Sequence, residues 1–282
     1  MNYRHAFHAG NHADVLKHAV LARVFTLLAT KEKPFAVLDA HAGIGRYDLE
    51  SVQATKTGEW LGGIGKMGDA FSPDVENILA PFRLVLTSMN AAGGLRHYPG
   101  SPEIFAHLAR GGDRLLANEL HPDDAATLRA AYGRDKRVAV IEQDAMLAVK
   151  SSLPFQERRG LVLLDPPYEA LDETLRTAKT LEFGLRRFAS GVFAIWYPVT
   201  TDEFAANLVA TVQALNAPNM LRAELRIKAA HAHAGLAGSG LIIINPPWGL
   251  EPDLQILLPA LAERLGIGSW GRGVVEWLTP PA

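Results

Sequence analysis

Asp165-Pro166-Pro167-Tyr168 sets a carboxylate, two fixed backbone corners and an aromatic ring directly behind the apolar run Leu161 to Leu164. A short apolar run ended by prolines reads as a buried strand, because proline neither donates to a ladder nor lets a helix start at once. Asp165 therefore falls at a strand's carboxyl end, the edge where open α/β sheets bind ligands. A strand stop with an ordinary turn aspartate is the alternative, and these four residues alone leave both readings open.

Three more stretches carry residues of the same kind. In "LDAHAGIGRY", residues 38–47, Asp39 closes an apolar run, and Gly43 and Gly45 follow in a loop whose missing side chains let backbone N–H groups approach a ligand. Asp48 stands where a dinucleotide loop has its third glycine, which argues against a dinucleotide; taken alone, the loop reads more readily as a structural turn after the strand. Glu119 ends "RLLANE", where an acid accepts hydrogen bonds from ribose hydroxyls. Asp144 follows "RVAVIE" and would lie beside the exocyclic amine of an adenine ring. Each acid alone reads more readily as a helix cap or first-turn charge. Together Asp39, Glu119, Asp144 and Asp165 end four consecutive strands and line one edge.

Seven strand-like runs must position them, at 35–40, 114–119, 137–142, 160–165, 191–197, 223–228 and 240–245. Helical patterns such as 121–133 and 202–216 separate most of them, which predicts an α/β fold with a mainly parallel sheet covered on both faces. Only residues 229–239 join the last two runs, so these are expected to form an antiparallel hairpin. The long gap after the first strand implies an insertion, read as a small helical subdomain over 50–96, with 1–49 and 97–282 forming the main domain. Beyond it Ser101 is expected to cap a helix that has Pro102 at its first position.

Composition narrows the classes. A chain of 282 residues with 48% hydrophobic content can bury a sizeable core, and no apolar run is long enough to span a bilayer, so a soluble, cytoplasmic protein is expected. The absence of cysteine excludes disulfides, thiolate nucleophiles and cysteine-bound metals. A net charge of -2 argues against a globally basic coat for nucleic acid but leaves room for a local basic face.

A glycine loop, a ribose acid, an adenine acid and then Asp-Pro-Pro-Tyr, in that order, resembles the Rossmann-like class I S-adenosylmethionine-dependent methyltransferases that modify exocyclic amino groups. Such an amine is a poor nucleophile because its lone pair is delocalised into the ring. If Asp165 and the Pro166 carbonyl each accept one N–H, the nitrogen turns tetrahedral and its lone pair points at the donor methyl. Tyr168 is expected to stack on the extruded base. Downstream, Asn245-Pro246-Pro247-Trp248 has the same grammar but follows the seventh strand, so it is read as structural, with Trp248 packing its indole.

The N-terminal residues Tyr3, Arg4, His5, His8, His12, Lys17 and His18 concentrate cations and rings before the first strand. The histidine spacing fits no metal motif, and methyl transfer needs none, so no metal is expected. Residues Ala13 to Phe25 read as an amphipathic helix packed on the domain with its cationic end near the site.

The strings "YRHAFHAGNHADVLKH", "LDAHAGIGRY", "YPGSP", "NELHP", "LLDPPYE" and "WYPV" together resemble the bacterial 23S ribosomal RNA adenine-N(6) methyltransferase J family over nearly the whole chain. The resemblance implies a sheet of seven or slightly more strands with an inserted helical subdomain, acting as a monomer on 23S ribosomal RNA before the ribosome is fully assembled. It places Lys17, His18, His41, Ser101, Glu119 and Asp144 around S-adenosylmethionine, beside Asp39, Gly43 and Asp165 from the edge reading. Tyr3, His5 and Tyr168 would hold the adenosine, and Asp165 with Pro166 and Tyr168 would be catalytic. One departure is the glycine-rich, weakly basic insertion. The alternatives are a DNA adenine methyltransferase, disfavoured because no target-recognition domain is visible, a glutamine-modifying protein methyltransferase, which normally has Asn first in the motif, and an inactive RNA-binding relative, whose motif would be damaged.

Overall fold

Strands buried on both faces need helices above and below, and their side chains must alternate between two cores. The computed structural model, which describes residues 4–230 and 235–281, meets both requirements. In β1 (Ala36–Asp39), Val37 enters one core while Ala36 and Leu38 enter the other. Ahead of it runs α1 (His12–Ala29). After β1 come β2 (Arg46–Asp48), α2 (Val52–Thr57), α3 (Pro73–Met89), β3 (His97–Pro99), α4 (Ser101–Leu108), β4 (Arg114–Asn118) and α5 (Pro122–Tyr132). The chain continues through β5 (Val138–Ile141), α6 (Ala145–Ser152), β6 (Gly160–Leu164), α7 (Glu173–Arg187), β7 (Val192–Val199) and α8 (Asp202–Gln213). It closes with β8 (Met220–Arg226), β9 (Gly238–Ile244), α9 (Leu250–Leu265) and β10 (Arg272–Thr279).

Among the described residues the main sheet has eight strands in the order β10-β8-β9-β7-β6-β1-β4-β5. The five strands β7, β6, β1, β4 and β5 run parallel, so their carboxyl ends share one edge. β8 and β9 form the expected antiparallel pair, with β9 wedged between β8 and β7. The edge strand β10 has no counterpart in the sequence reading; half-exposed and flanked by Gly271 and Pro280, it lacks the apolar run that marked the others. No helix among the described residues is long and apolar enough to cross a membrane.

Two expectations need correction. α1 is not amphipathic: its flanks contact α3, α4, α9 and β9, so Asp14, Lys17 and His18 are buried with the apolar residues. The face expected in water is covered by α3, which belongs to the segment closed off where β2 pairs with β3. Ser101 is not the cap of α4. Gly100 takes that place, because its N–H is bonded to the Gly45 carbonyl at 2.7 Å and a Cβ there would crowd Gly45 and Tyr47. The helix starts one residue early, and the Ser101 hydroxyl is freed for another partner.

Candidate active site

Each acid of the sheet edge is held by the strand end that delivers it. Asp165 follows β6 directly, and its N–H donates to Nδ1 of His41 at 3.1 Å. Accepting that bond requires a neutral imidazole, and burial pushes His41 down to about 4, only partly opposed by the charges of Asp165 and Asp144. The prolines then throw the chain so that Tyr168 sits at φ 52°, a left-handed conformation that costs a non-glycine residue roughly 1 kcal/mol or more. Its hydroxyl donates to the Trp196 carbonyl at 2.8 Å, and its ring meets Phe204 edge-on. Glu119 accepts the Gly43 N–H at 2.9 Å with one oxygen and the His121 N–H at 2.8 Å with the other. A carboxylate has about four lone-pair sites, so two stay open for ligand hydroxyls. Asp144 caps α6 through Met146 N–H and pairs with Arg176 at 2.9 Å.

Asp39 stands behind this wall rather than in it. It is 1% exposed, outside the cavity lining, and accepts the Ser101 hydroxyl and the His41 N–H. Burial, reinforced by the Asp165 charge, pushes its carboxyl up to about 7 against those hydrogen bonds. Its two partners Ser101 and His41, by contrast, both line the cavity.

The opposite wall comes from the N-terminus. Asn11 caps α1, accepting from Ala13 and Asp14 N–H at 3.0 Å each, and thereby fixes the turn that carries Asp14 and Lys17. Lys17 Nζ lies 2.6 Å from Asp165 Oδ2 and 3.0 Å from Asp14 Oδ1. His5 reaches Asp14 through Nε2 at 2.8 Å, and His18 reaches the Tyr98 hydroxyl through Nδ1 at 2.9 Å. Arg4 pairs with Asp123 and Asp124 at the start of α5, while Tyr3 lies outside the described residues. Glu59, from the segment between β2 and β3, binds His8 at 3.0 Å and the Asn11 amide at 2.9 Å. Gly63 packs so tightly that a Cβ would strike the Gly10 carbonyl oxygen at 2.1 Å.

Between these walls is a cavity of about 600 Å³, within the range of cofactor pockets. Its lining holds Lys17, His18, His41, Gly43, Ser101, Glu119, Asp144, Asp165, Pro166 and Tyr168 together with His5. Among the described residues, carboxylates outnumber lysine and arginine in that lining by seven to three. Such a cavity favours a cationic sulfonium and disfavours phosphate, and a glycine loop with open carboxylates fits its nucleoside part. Sequence reasoning missed Asp14 and Glu59, for which no pattern signals burial or long-range partners. It named Trp196 only within a string, although its place near the carboxyl end of β7 is the signal that marked the acids.

The downstream motif lies elsewhere. β9 is antiparallel to β7, with Ile244 opposite Phe193, so Asn245 emerges at the amino edge of the parallel strands. Its amide donates to the carbonyls of Ala189 and Gly191, a structural task, but Trp248 is 96% exposed and does not pack as expected, because Gly249 at φ 91° starts α9 at once and leaves the indole outside.

Strand order, acid-lined edge and donor cavity define a Rossmann-like class I methyltransferase fold. The family model described as "Ribosomal RNA large subunit methyltransferase D, RlmJ" matches residues 32–279, and the chain belongs to that family. It is 43% identical to Ribosomal RNA large subunit methyltransferase J of Haemophilus influenzae and 40% identical to that of Escherichia coli, each over 99% of both chains. A crystal structure from Legionella pneumophila superposes with a TM-score of 0.86 at 29% identity, covering 96% of this chain and 98% of that one. The chain is accordingly a ribosomal RNA methyltransferase, with S-adenosylmethionine as its methyl donor.

Proposed function

We propose that the enzyme methylates the exocyclic 6-amino group of an adenosine in 23S ribosomal RNA, acting as a monomer before the ribosome is fully assembled. The observation that carries this reading is the juxtaposition of Asp165, locked between His41 and a double proline, with Lys17 inside a cavity otherwise rich in carboxylates. When bound, S-adenosylmethionine supplies an electrophilic methyl. Glu119 binds the ribose hydroxyls, Asp144 the adenine amine, and Ser101, His41, Gly43, Lys17 and His18 complete the donor seat, with Asp39 acting from behind.

Asp165 and the Pro166 carbonyl each accept an N–H of the target amine, which frees its lone pair for in-line attack. Asp165 need not be a strong base, because the proton turns acidic only as the new bond forms. Tyr168 supports the extruded base from below and His5 covers it from the N-terminal side, while Tyr3, outside the described residues, is assigned to the same adenosine from the sequence resemblance alone. Extrusion is required because phosphates are disfavoured within so acidic a cavity, so the nucleotide must enter base first. Residues 50–96 form an inserted unit in this reading, and 1–49 with 97–282 the methyltransferase domain. The contacts of Glu59 and α3 support a role for the insertion in bracing the N-terminal wall. Mass spectrometry of nucleosides from 23S RNA of a deletion strain is expected to find one N(6)-methyladenosine missing, restored by the parent gene and not by Asp165→Ala. An unchanged nucleoside profile would contradict the reading.

A further inference from the structure

We infer that Asp14 is a positioning residue for methyl transfer: by offering Lys17 a second carboxylate, it keeps Asp165 from being consumed by that ammonium and leaves it free for the target amine. The inference rests on the reading of Asp165 as the acceptor of the amine.

Lys17 is 6% exposed at its side chain and Asp14 3%, and the ammonium sits 3.0 Å from Asp14 and 2.6 Å from Asp165. A buried cation facing one buried carboxylate neutralises it, binds one of its oxygens and lowers its strength as an acceptor. With two carboxylates the trio keeps one net negative charge. An ammonium has three donors, so it serves both acids at once, and its third side faces the Trp196 ring 5.7 Å away. Asp165 then keeps an oxygen and part of its charge for an incoming N–H.

The remaining bonds of Asp14 are made inside the protein. Its Oδ2 receives the His5 ring nitrogen at 2.8 Å and the Gly10 N–H at 3.0 Å. Burial drives its carboxyl upward, but His5, Lys17 and His18 outweigh that and hold it well below the usual range, so the side chain is an anion at neutral pH. With almost no exposed surface it acts through Lys17 and not on substrate. The same carboxylate anchors His5, so the wall that covers the base and the acid that activates it share one ionic joint.

Asp14→Asn keeps the shape and most acceptor bonds while deleting the charge. Single-turnover methylation of protein-free 23S RNA should fall at least tenfold, with affinity for S-adenosylhomocysteine by calorimetry within about threefold of the parent. In a Lys17→Gln background, where no ammonium competes for Asp165, adding Asp14→Asn should cost less than threefold. That double variant removes one charge of each sign and leaves the net charge of the cluster unchanged, so it remains readable if Asp14→Asn alone unfolds. A parental rate for Asp14→Asn, or a further tenfold loss in the Lys17→Gln background, would overturn the inference. Asp165→Asn is the control: if it stays active, the reading of Asp165 fails, whereas an inactive control beside a parental Asp14→Asn rejects only the role of Asp14.

Discussion

The two walls of the cavity are built by different means. On the sheet side, Glu119, Asp144 and Asp165 follow successive parallel strands of one ladder and are fixed by groups at that same edge, Gly43 and His121, Met146 and Arg176, and His41 in turn. On the N-terminal side, His5, Asp14 and Lys17 are bonded to one another, and the group is tied to distant parts of the chain by Lys17 to Asp165 and by Asn11 to Glu59, which lies between β2 and β3. A wall built on a ladder is rigid and suits a fixed donor, whereas a wall built on long-range ionic contacts places the acceptor and is sensitive to single losses. The contrast predicts that substitutions of Glu119 or Asp144 change donor affinity, whereas those on the N-terminal wall, and of Asp165 that Lys17 joins to it, change rate.

Glu119→Ala gives the largest such effect on affinity: losing charge-assisted bonds to a ribose should weaken donor binding by about 1–3 kcal/mol, read by calorimetry in a folded variant. An unchanged affinity would remove Glu119 from the donor seat. Glu59→Gln is expected to slow single-turnover methylation by roughly threefold to tenfold, because His8 and Asn11 lose a charged partner while the donor seat is untouched. A loss of donor affinity without a loss of rate would erase the distinction between the walls.

The smallest effect concerns pH. His41 stays neutral in the fold down to about 4, while the unfolded chain protonates it near 6.5, so between those values the unfolded state binds more protons and stability falls as pH falls. Asp39 runs the other way: its folded value of about 7 lies above the unfolded 3.8, so its contribution to stability grows as pH drops through 7 toward 4. His41→Gln removes the first term and leaves the second. Its melting temperature should drop less than the parent's between pH 6.5 and pH 4.5; an equal drop would mean that His41 is not buried neutral.

The same contrast explains what was legible in the sequence. A strand buried on both faces must be an apolar run, and a residue just past it must stand at the sheet edge, so Asp165 and Glu119 could be placed from local pattern. Where Ser101 and Asp39 end up depends on Gly100 being pinned to Gly45, a contact between residues 55 positions apart that no periodicity encodes. α1 carried apolar residues around its whole circumference, which suits burial on all sides, but nothing local indicated that α3 would provide the cover. Trp248 illustrates the converse: an indole in an apolar context was expected to pack, and the immediate start of α9 leaves it in solvent.

The most direct test compares Asp165→Ala with the parent on protein-free 23S RNA, measuring donor affinity by calorimetry and single-turnover methylation of the same preparations. Donor affinity is expected to stay within a few-fold while the rate falls by at least roughly a hundredfold, the range expected for loss of a group acting in the chemical step. A variant that binds donor normally and still methylates RNA near the parental rate would contradict it.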